Sequence, residues 1–366
     1  MQLKKRKMTN NNLKLEDLGY DTFFESNRKK LKLDDFLFAR VIAEHKGAYK
    51  VKNINGEYLA KITGRHKYKA LSREDYPAVG DWVTITEIDN NKATIRRILP
   101  RKTILRKKYS NKEENQIIAT NIDVAFIIES VDRDYNLNRF ERYIILAKDS
   151  KIKPVIVLNK IDLISDEKLK FKVNQIKDRF NDVDIILSSA TIKQGTEKLK
   201  EYIKRGKTYC FLGSSGVGKS SLINKLLEKN TIKTNKVSDY SQRGMHTTTS
   251  REIYILENGG ILIDNPGTRE VGIADSNAGI KDVFTDIEEL SENCKYNDCS
   301  HTNEPGCAVL NAVESKKLDK NKYSNYIKLK KETEHYNMTG LEKRRKNRQF
   351  GKYVKTALKE VNKYKS

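Results

Sequence analysis

The spacing of apolar and polar positions predicts a small all-β domain between residues 36 and 110. Short runs that alternate with a period of two residues are separated by turns, as in "FLFARVIAE" and "VGDWVTITEIDNNKATIRRI". Alternation of this kind is typical of half-buried strands, and "DNN" between two runs predicts a hairpin. Five short strands in a segment of this length favour an OB-fold, with an SH3-like barrel as the alternative.

From residue 111 the rhythm changes, because apolar strands now alternate with longer helical stretches. The strands read "DVAFIIES", "KPVIVLN", "VDIILSS" and "TYCFLG", and helical segments such as "LNRFERYIILAKDS" separate them. This alternation predicts a parallel sheet with crossover helices. We therefore predict an α/β domain over residues 111–286 and a helical domain with a basic tail over residues 287–366.

The first 35 residues show no sustained period of apolar positions, neither that of a strand nor that of a helix. They are polar and basic, so we expect an extension that is flexible or marginally ordered. The basic start "MQLKKRK" is not followed by an apolar signal segment, and no run of 18 apolar residues occurs. The sequence thus predicts no secretion and no membrane partner, and the cytoplasm is the expected location.

The net charge of +23 is unevenly distributed along the chain. Residues 36–110 contain 17 Lys and Arg against 7 Asp and Glu, and residues 311–366 contain 17 against 6, whereas residues 111–310 contain 29 against 30. Basic flanks around a neutral centre indicate that the protein binds a polyanion, and nucleic acid is the expected one. The alternative is a Lys-rich proteome in which all surfaces are basic, but it would make the centre basic as well.

A phosphate-binding loop follows the strand "TYCFLG". The segment "GSSGVGKS" matches G-x-x-x-x-G-K-[ST] between an apolar strand and a helix, which is the context that the motif requires. Backbone N–H groups of such a loop surround phosphates, its Lys adds a positive charge, and its last hydroxyl binds Mg²⁺. The predicted nucleotide-binding residues here are Gly213, Ser214, Ser215, Gly216, Val217, Gly218, Lys219, Ser220 and Ser221.

A second motif, "NKID", predicts that the base is guanine. Asn159, Lys160 and Asp162 follow the strand "PVIVL", at the edge of a parallel sheet where ligands bind. A carboxylate can accept two hydrogen bonds from N1–H and the exocyclic amine of guanine, whereas adenine would leave it unpaired. Ser188, Ser189 and Ala190 end the next strand and are expected to offer backbone N–H groups to the base oxygen.

The remaining elements of a GTPase site lie downstream of the loop. Asp264 ends the strand in "GGILIDNPG", where it can hold Mg²⁺ through water, and the N–H of Gly267 can face a γ-phosphate. Thr248, in the loop "SQRGMHTTTSRE", is expected to complete the Mg²⁺ shell. The guanine motif precedes the phosphate loop here, so we predict a circularly permuted domain. No Gln follows Gly267, which predicts slow hydrolysis by the free protein.

Three cysteines and one histidine cluster within 14 residues near the C-terminal end of the neutral region. Cys294, Cys299, His301 and Cys307 form a Cys₃His set, which is typical of a closed structural zinc site. Free buried cysteines beside a surface histidine are the alternative. Cys210, on the strand before the phosphate loop, is interpreted as a small core residue.

Together these segments resemble the RsgA (YjeQ) family of small-ribosomal-subunit GTPases over roughly residues 36–335. The resemblance rests on the permuted order of "GSSGVGKS", "HTTT", "DNPG" with "TREVGI", and "CKYNDCSHTNEPGCAV". It implies an OB-fold, a permuted GTPase domain and a zinc domain that bind the small subunit and its 16S rRNA late in maturation. GTP hydrolysis to GDP would then be slow and accelerated by the subunit. We expect a monomer.

The resemblance also implies roles for residues that local patterns leave open. His246 corresponds to the family's switch histidine, implicated in hydrolysis, and Thr248 to its Mg²⁺-linked threonine, beside Lys219 of the loop. Asn265 stands where the family often has Thr, and Thr268 where it often has an aromatic residue. Two alternatives stay open at this point: a GTP-gated RNA-binding module with negligible hydrolysis, and a P-loop ATPase acting on RNA, which "NKID" disfavours.

Overall fold

The computed structural model divides into two compact units, Met1–Val271 and Gly272–Ser366. The first holds the predicted barrel and nucleotide domain, and the second holds the cysteine cluster. The structure describes residues 13–45, 47–89, 91–108, 115–132, 135–192, 195–228, 251–264, 276–339 and eight positions between 341 and 356.

The N-terminal segment is ordered from residue 13 onwards, so the expectation of a flexible extension is wrong for this part of it. A 3-10 turn at Leu15–Leu18 precedes α1 (Thr22–Lys30), and the Asp21 carboxylate caps α1 by accepting from the Phe23 N–H. The apolar side chains of this segment follow no regular period in the sequence, because they fill gaps beside the barrel and do not form one face of a helix or strand. The shared core contains Leu18, Tyr20, Phe24, Leu33, Phe38, Trp82 and Leu99.

Five strands then form a closed barrel, with the short helix α2 (Gly64–Lys69) between the third and the fourth. They are β1 (Leu37–His45), β2 (Ala48–Lys52), β3 (Glu57–Ile62), β4 (Trp82–Asp89) and β5 (Lys92–Ile98). The pairing order is β1-β2-β3-β5-β4, and β4 pairs again with β1, which closes the barrel. β3 and β5 are parallel, whereas the other barrel pairs are antiparallel. This topology confirms the OB-fold and excludes the SH3-like alternative.

A buried arginine joins the barrel to its two neighbours along the chain. Arg40 lies on β1, and its guanidinium donates to the carbonyls of Leu18, Gly80 and Asn121 and to Thr208 Oγ1. Burial lowers its pKa to about 10, so it stays charged at neutral pH. One side chain therefore links the N-terminal segment, the barrel and the first strands of the nucleotide domain.

A two-stranded ribbon follows the barrel and crosses the predicted boundary at residue 110. β6 (Ile104–Lys108) pairs with β7 (Asn115–Thr120), and the two form a sheet of their own. The change of rhythm after residue 111 suggested a boundary at this point, but β6 and β7 pair with each other across it. The other boundaries within the first unit stay predictions.

The nucleotide domain contains the predicted parallel sheet. Its strands are β8 (Val124–Ser130), β9 (Lys153–Asn159), β10 (Asp184–Leu187), β11 (Thr208–Leu212), β12 (Glu252–Ile255) and β13 (Ile261–Asp264). Its helices are α3 (Leu137–Asp149), α4 (Asp166–Arg179), α5 (Glu197–Tyr202) and α6 (Lys219–Leu227). The order is β10-β9-β8-β11-β13-β12, parallel except for β12. β11, which carries the phosphate loop, thus lies between strands that precede it and strands that follow it in the chain.

The barrel and the nucleotide sheet are continuous through one pairing that the sequence did not predict. Ala43 of β1 pairs with Glu252 of β12, so the described strands of both domains form a single 11-stranded sheet. β12 was missed: β10 and β13 are equally short, but β12, unlike them, has no buried residue.

The second unit is helical, as predicted. It contains α7 (Asn277–Val283), α8 (Thr285–Ser291), α9 (Ala308–Glu314) and α10 (Lys320–Asn337). α7 belongs to this unit, although the predicted boundary between residues 286 and 287 assigned it to the nucleotide domain. The eight described positions between 341 and 356 are helical. Among the described helices, none is both long enough and apolar enough to cross a membrane.

Candidate nucleotide site and metal cluster

The two sequence motifs predicted to share one nucleotide meet at the same edge of the sheet. Asn159, the last residue of β9, is buried, and its Nδ2 donates to the carbonyl of Val217 in the phosphate loop at 2.8 Å. Ser188 Oγ, after β10, donates to Asn159 Oδ1 at 3.1 Å. One side chain therefore ties "NKID" to "GSSGVGKS" across 58 residues of chain.

The predicted guanine-reading carboxylate is oriented by a neighbouring hydroxyl. Ser189 Oγ donates to Asp162 Oδ1 at 2.5 Å, and Thr191 Oγ1 lies 2.8 Å from Ser189 Oγ. Burial favours the neutral acid, but hydrogen bonds from Ser189 and Thr191 outweigh it, so the pKa of Asp162 lies below its ordinary value. The carboxylate is therefore an ionised acceptor at neutral pH, as pairing with guanine requires.

The other residues predicted to face the base differ in part from their predicted roles. The N–H of Ser189 donates to the Gly195 carbonyl at 2.8 Å, so it is not free to meet a base oxygen, and the prediction is corrected for this residue. Its hydroxyl instead positions Asp162. Ala190 stays a prediction. Lys160 has a left-handed backbone with φ of 60°, and its ammonium donates to Asp132 Oδ2 at 2.9 Å, which directs its stem along the edge of the site.

Two glycines of the phosphate loop are needed where backbone approaches backbone or side chain. Gly213 has φ of 146°, and a Cβ there would collide with the Ile128 carbonyl of β8. Gly218 has φ of 97°, and a Cβ there would collide with Asn159 Nδ2. Val217 between them is fully buried and anchors the loop in the core. The loop thus has the close backbone packing that phosphate cradling needs.

The lysine of the loop is held within it. Lys219 begins α6, and its ammonium donates to the carbonyls of Gly213 and Ser214 at 2.7 and 2.5 Å. Ser214 also bonds to Tyr143 of α3, whose pKa is nevertheless raised because burial is the larger effect. A positive charge is therefore placed at the start of α6, next to backbone N–H groups that favour anions.

Asp264 lies at the carboxyl end of β13, on the same edge of the sheet. It is almost fully buried, and burial raises its pKa although the positive charge of Lys219 opposes this. Glu252, opposite it on β12, raises the pKa further. A buried carboxylate beside another carboxylate is well suited to a cation, because a bound cation would relieve both effects.

Several predicted site residues lie outside the described part of the chain. They are the catalytic candidate His246, the magnesium candidate Thr248, and Gly267 with its neighbours Asn265 and Thr268. Their roles stay predictions.

The four predicted zinc ligands converge in the second unit. Their ligand atoms all lie within 4.8 Å of one another. His301 Nδ1 is 3.6 Å from Sγ of both Cys294 and Cys307, and these two sulfurs are 3.9 Å apart. A tetrahedral zinc ion with ordinary bond lengths places sulfur about 3.8 Å from sulfur and about 3.6 Å from nitrogen. Cys299 completes the set, so the donors and their spacing fit one zinc ion.

The surrounding backbone orients these ligands. Cys307 caps α9, with its Sγ accepting from the Leu310 N–H at 3.4 Å. His301 has a left-handed φ of 61°, and its carbonyl accepts from the Tyr323 hydroxyl of α10 at 2.6 Å. Burial and the charge of Lys330 lower the pKa of His301, which favours the neutral imidazole that binds metal.

Comparison with known sequences shows which protein family has this combination of features. A family model described as RsgA GTPase matches residues 98–274. "Small ribosomal subunit biogenesis GTPase RsgA 1" of Bacteroides thetaiotaomicron is 39% identical over 352 residues, which cover 96% of this chain and 98% of that protein. The chain belongs to the RsgA family. A second relative, "Small ribosomal subunit biogenesis GTPase RsgA 2" of Vibrio parahaemolyticus, is 38% identical and covers 95% of this chain and 94% of its own.

Solved structures agree with this RsgA assignment. YjeQ from Thermotoga maritima superimposes with a TM-score of 0.59 at 27% identity, covering 80% of this chain and 96% of that one. YloQ, described as a circularly permuted GTPase, superimposes with a TM-score of 0.56 over 83% of this chain and 97% of its own, and at 23% identity shows the fold alone. The predicted architecture and its permuted order are confirmed.

Membership of the RsgA family makes this chain a GTPase, as predicted from "GSSGVGKS" and "NKID". GTP and GDP are its nucleotides, Mg²⁺ is the cation that the reaction uses, and the Cys₃His cluster fits a single zinc. Two residues near the nucleotide site were not predicted to act there: Asp132 holds Lys160, and Tyr143 bonds the phosphate loop. Ser188 was predicted to offer a backbone N–H to the base, and in the structure its hydroxyl fixes Asn159.

Proposed function

We propose that this chain hydrolyses GTP to GDP and phosphate in late maturation of the small ribosomal subunit, bound to the 16S rRNA of that subunit. The bond from Asn159 to Val217 carries the proposal, because it joins the guanine motif to the phosphate loop in one site. The names of the RsgA relatives support the subunit as partner. We further propose that the protein acts as a monomer in the cytoplasm.

Within this site each predicted residue has a distinct task. Asp162 pairs with guanine, the stem of Lys160 lies along the base, and Ala190 offers its N–H to the base oxygen. The phosphate loop surrounds the phosphates, with Lys219 as its positive charge. Ser220, Thr248 and Asp264 would hold Mg²⁺, which when bound neutralises charge that develops on the phosphates.

Hydrolysis needs a group that orients water, and we assign this role to His246. No Gln follows Gly267, the position at which Ras-like enzymes carry one. Without it the free protein positions phosphates but not water, so turnover is slow. Binding to the subunit directs the imidazole of His246 toward the attacking water.

The RNA contacts come from the basic flanks of the chain. Residues 36–110 and residues 311–366 hold nearly half of its Lys and Arg, 34 of 72. Phosphate contacts of this kind release counterions, so binding weakens as salt rises. About six contacts would give a log–log slope of about −4 to −5.

Release of phosphate from GTP, measured with the protein alone and with purified small subunits, tests the proposal. We expect clear stimulation by small subunits and none by large subunits, which are the control. His246→Ala should abolish most of the stimulation and leave GTP binding intact. Equal turnover with and without small subunits would reject this function in favour of a GTP-gated RNA-binding module.

A further inference from the structure

Helix α2 is an unusual part of the barrel because it contributes nothing to the core. None of its six residues is buried. Tyr68 is 92% exposed, and Leu71, just after the helix, is 96% exposed. An aromatic ring held in water gains nothing in folding stability. Its position is therefore better explained by something that binds to it.

The surroundings of this ring are strongly basic. Residues 64–73 contain Arg65, Lys67, Lys69 and Arg73 and no carboxylate. Arg65 precedes Tyr68 by three positions on α2, which makes the two side chains neighbours on the helix surface. The ring of Tyr68 and the guanidinium of Arg65 are thus adjacent on the exposed surface of α2.

A groove of about 930 Å³ runs beside this helix. We call it the basic groove. Its cationic lining residues are Arg65 and Lys69 on the α2 side and Arg96, Arg97 and Arg101 on the other, and His66 of α2 also lines it. Glu74 and Asp75 are its acidic lining residues.

The acidic residues of the basic groove are already engaged. Glu74 pairs with Arg106 at 2.7 Å, and Asp75 accepts from the N–H groups of Leu71 and Ser72 at 2.8 and 2.9 Å. Arg101 in turn pairs with the buried Asp81. By contrast, Arg65, Lys69 and Arg97 form no ion pair with any residue that the structure describes. Three cations are therefore available to an external anion.

Local hydrogen bonds hold this surface in shape. The Thr63 hydroxyl accepts from the His66 N–H at 3.1 Å and caps α2. His66 Nε2 lies 2.6 Å from the Asp75 carbonyl, to which it donates. Because these bonds fix the helix and the turn after it, a ligand would lose little entropy in ordering them.

We propose that the basic groove and Tyr68 bind a single-stranded segment of RNA, with phosphates along Arg65, Lys69 and Arg97 and one unpaired base stacked on Tyr68. The proposal rests on the proposed function and specifies the form of RNA that the barrel binds. A paired base in a duplex has no free face for an exposed ring, whereas an unpaired base stacks on aromatic side chains. The free cations supply the attraction for phosphates.

A ten-nucleotide, single-stranded RNA that alternates uridine with 2-aminopurine tests the stacking. With the full chain, we expect binding to quench 2-aminopurine fluorescence. Tyr68→Ala should weaken binding about 5- to 150-fold and remove the quenching, whereas Tyr68→Phe should retain both. Phe171→Ala is the matched control, since Phe171 is also exposed but lies on α4, away from the groove.

Salt dependence tests the cations separately. Arg97→Gln or Lys69→Gln should reduce the log–log salt slope for the same RNA by about 0.7 each. Lys170→Gln, at an exposed position on α4, should leave it unchanged. A blunt-ended RNA duplex, which has no unpaired base, should bind Tyr68→Ala and the unsubstituted protein equally well.

Failure of the groove and failure of the proposed function give different results. If small subunits stimulate hydrolysis but Tyr68→Ala binds the RNA as tightly as the unsubstituted protein, the groove proposal is overturned and the function stands. If small subunits do not stimulate the unsubstituted protein, the function fails regardless of the groove. If the groove variants lose the subunit while the unsubstituted protein does not bind the RNA, the partner is a protein and the groove proposal is again overturned.

Discussion

Asp162 shows how one hydroxyl can prepare a residue for recognition. Ser189 Oγ donates to one carboxylate oxygen, which keeps the group ionised and leaves its other oxygen for a ligand. Asn159 is fixed in the same way by Ser188 and Val217. The side chains at the base-binding edge are thus positioned by hydrogen bonds with neighbouring residues.

Asp162→Asn should change the base that the site prefers. An amide can donate where xanthine offers a carbonyl, but it cannot accept the two donors of guanine. We expect GTP affinity to fall about 10⁴-fold and xanthosine triphosphate to become the preferred nucleotide. Competition between the two nucleotides in a fluorescence binding assay measures this. Asp166→Asn, four residues later at the start of α4, is the matched control and should keep the preference for GTP.

Asp264→Asn should stabilise the protein while impairing its activity. The pKa of Asp264 is raised by burial, so the ionised group is less favourable in the folded than in the unfolded state. This penalty is present at neutral pH and disappears as pH falls through the folded pKa to below the usual value of 3.8, where both states are neutral. Loss of the carboxylate that we propose holds Mg²⁺ through water should remove most hydrolysis.

Thermal unfolding without nucleotide, at about pH 7 and at about pH 4, measures the effect. The midpoint of Asp264→Asn should exceed that of the unsubstituted protein at the higher pH, and the difference should shrink at the lower pH. Glu257→Gln, an exposed acid in the turn before β13, should change neither midpoint. A lower midpoint for Asp264→Asn at neutral pH would contradict the argument.

At the scale of elements, the metal cluster depends on a loop and two helices. Cys307 caps α9, and α10 supplies the hydroxyl of Tyr323 to the His301 carbonyl. Three ligands thus come from the loop between α8 and α9, and the fourth, Cys307, is the N-cap residue of α9. The ion would connect elements that are otherwise short.

Removing the metal should therefore unfold the second unit and spare the nucleotide site. We expect one zinc per chain by atomic absorption, and none in Cys307→Ser. Structural zinc contributes about 10 kcal/mol or more to such domains, so loss of helical signal should follow. Cys210→Ala is the control, because this buried cysteine of β11 lies outside the cluster and zinc content should not change. GTP binding should persist in both variants, since the nucleotide site belongs to the other unit.

At the scale of the whole molecule, the continuous sheet links the barrel to the nucleotide site. β12 pairs with β1 of the barrel on one side and with β13, which ends in Asp264, on the other. Arg251, just before β12, donates to the Ile117 carbonyl of the ribbon at 3.1 Å. A displacement of the barrel by RNA would thus be transmitted to the edge of the nucleotide site.

Arg251→Ala should weaken this coupling. We expect small-subunit stimulation of hydrolysis to fall at least about fivefold, with basal turnover and GTP affinity nearly unchanged. The comparison of stimulated and basal phosphate release measures this, and Lys177→Ala on α4 serves as control. If stimulation stays intact, the barrel acts on the site by another route.

The sequence alone determined the elements and the chemistry that depend on neighbouring residues. Alternation predicted β1 to β5, and apolar runs predicted β8 to β11. The motifs after those strands predicted the nucleotide-binding residues, and the clustered cysteines and histidine predicted the metal ligands. The permuted order could also be read directly, because it is a property of the chain. Such signals are local, and a short window of residues contains them.

Only the tertiary structure decided which distant residues meet. Four features join segments that are far apart in sequence. They are the packing of residues 13–35 beside the barrel, the buried contacts of Arg40, the pairing of β12 with β1, and the basic groove. Each depends on contacts between distant segments, and these contacts follow no period along the chain, so no local sequence pattern predicts them. The chemistry of the site is therefore local in origin, whereas its coupling to the barrel results from packing.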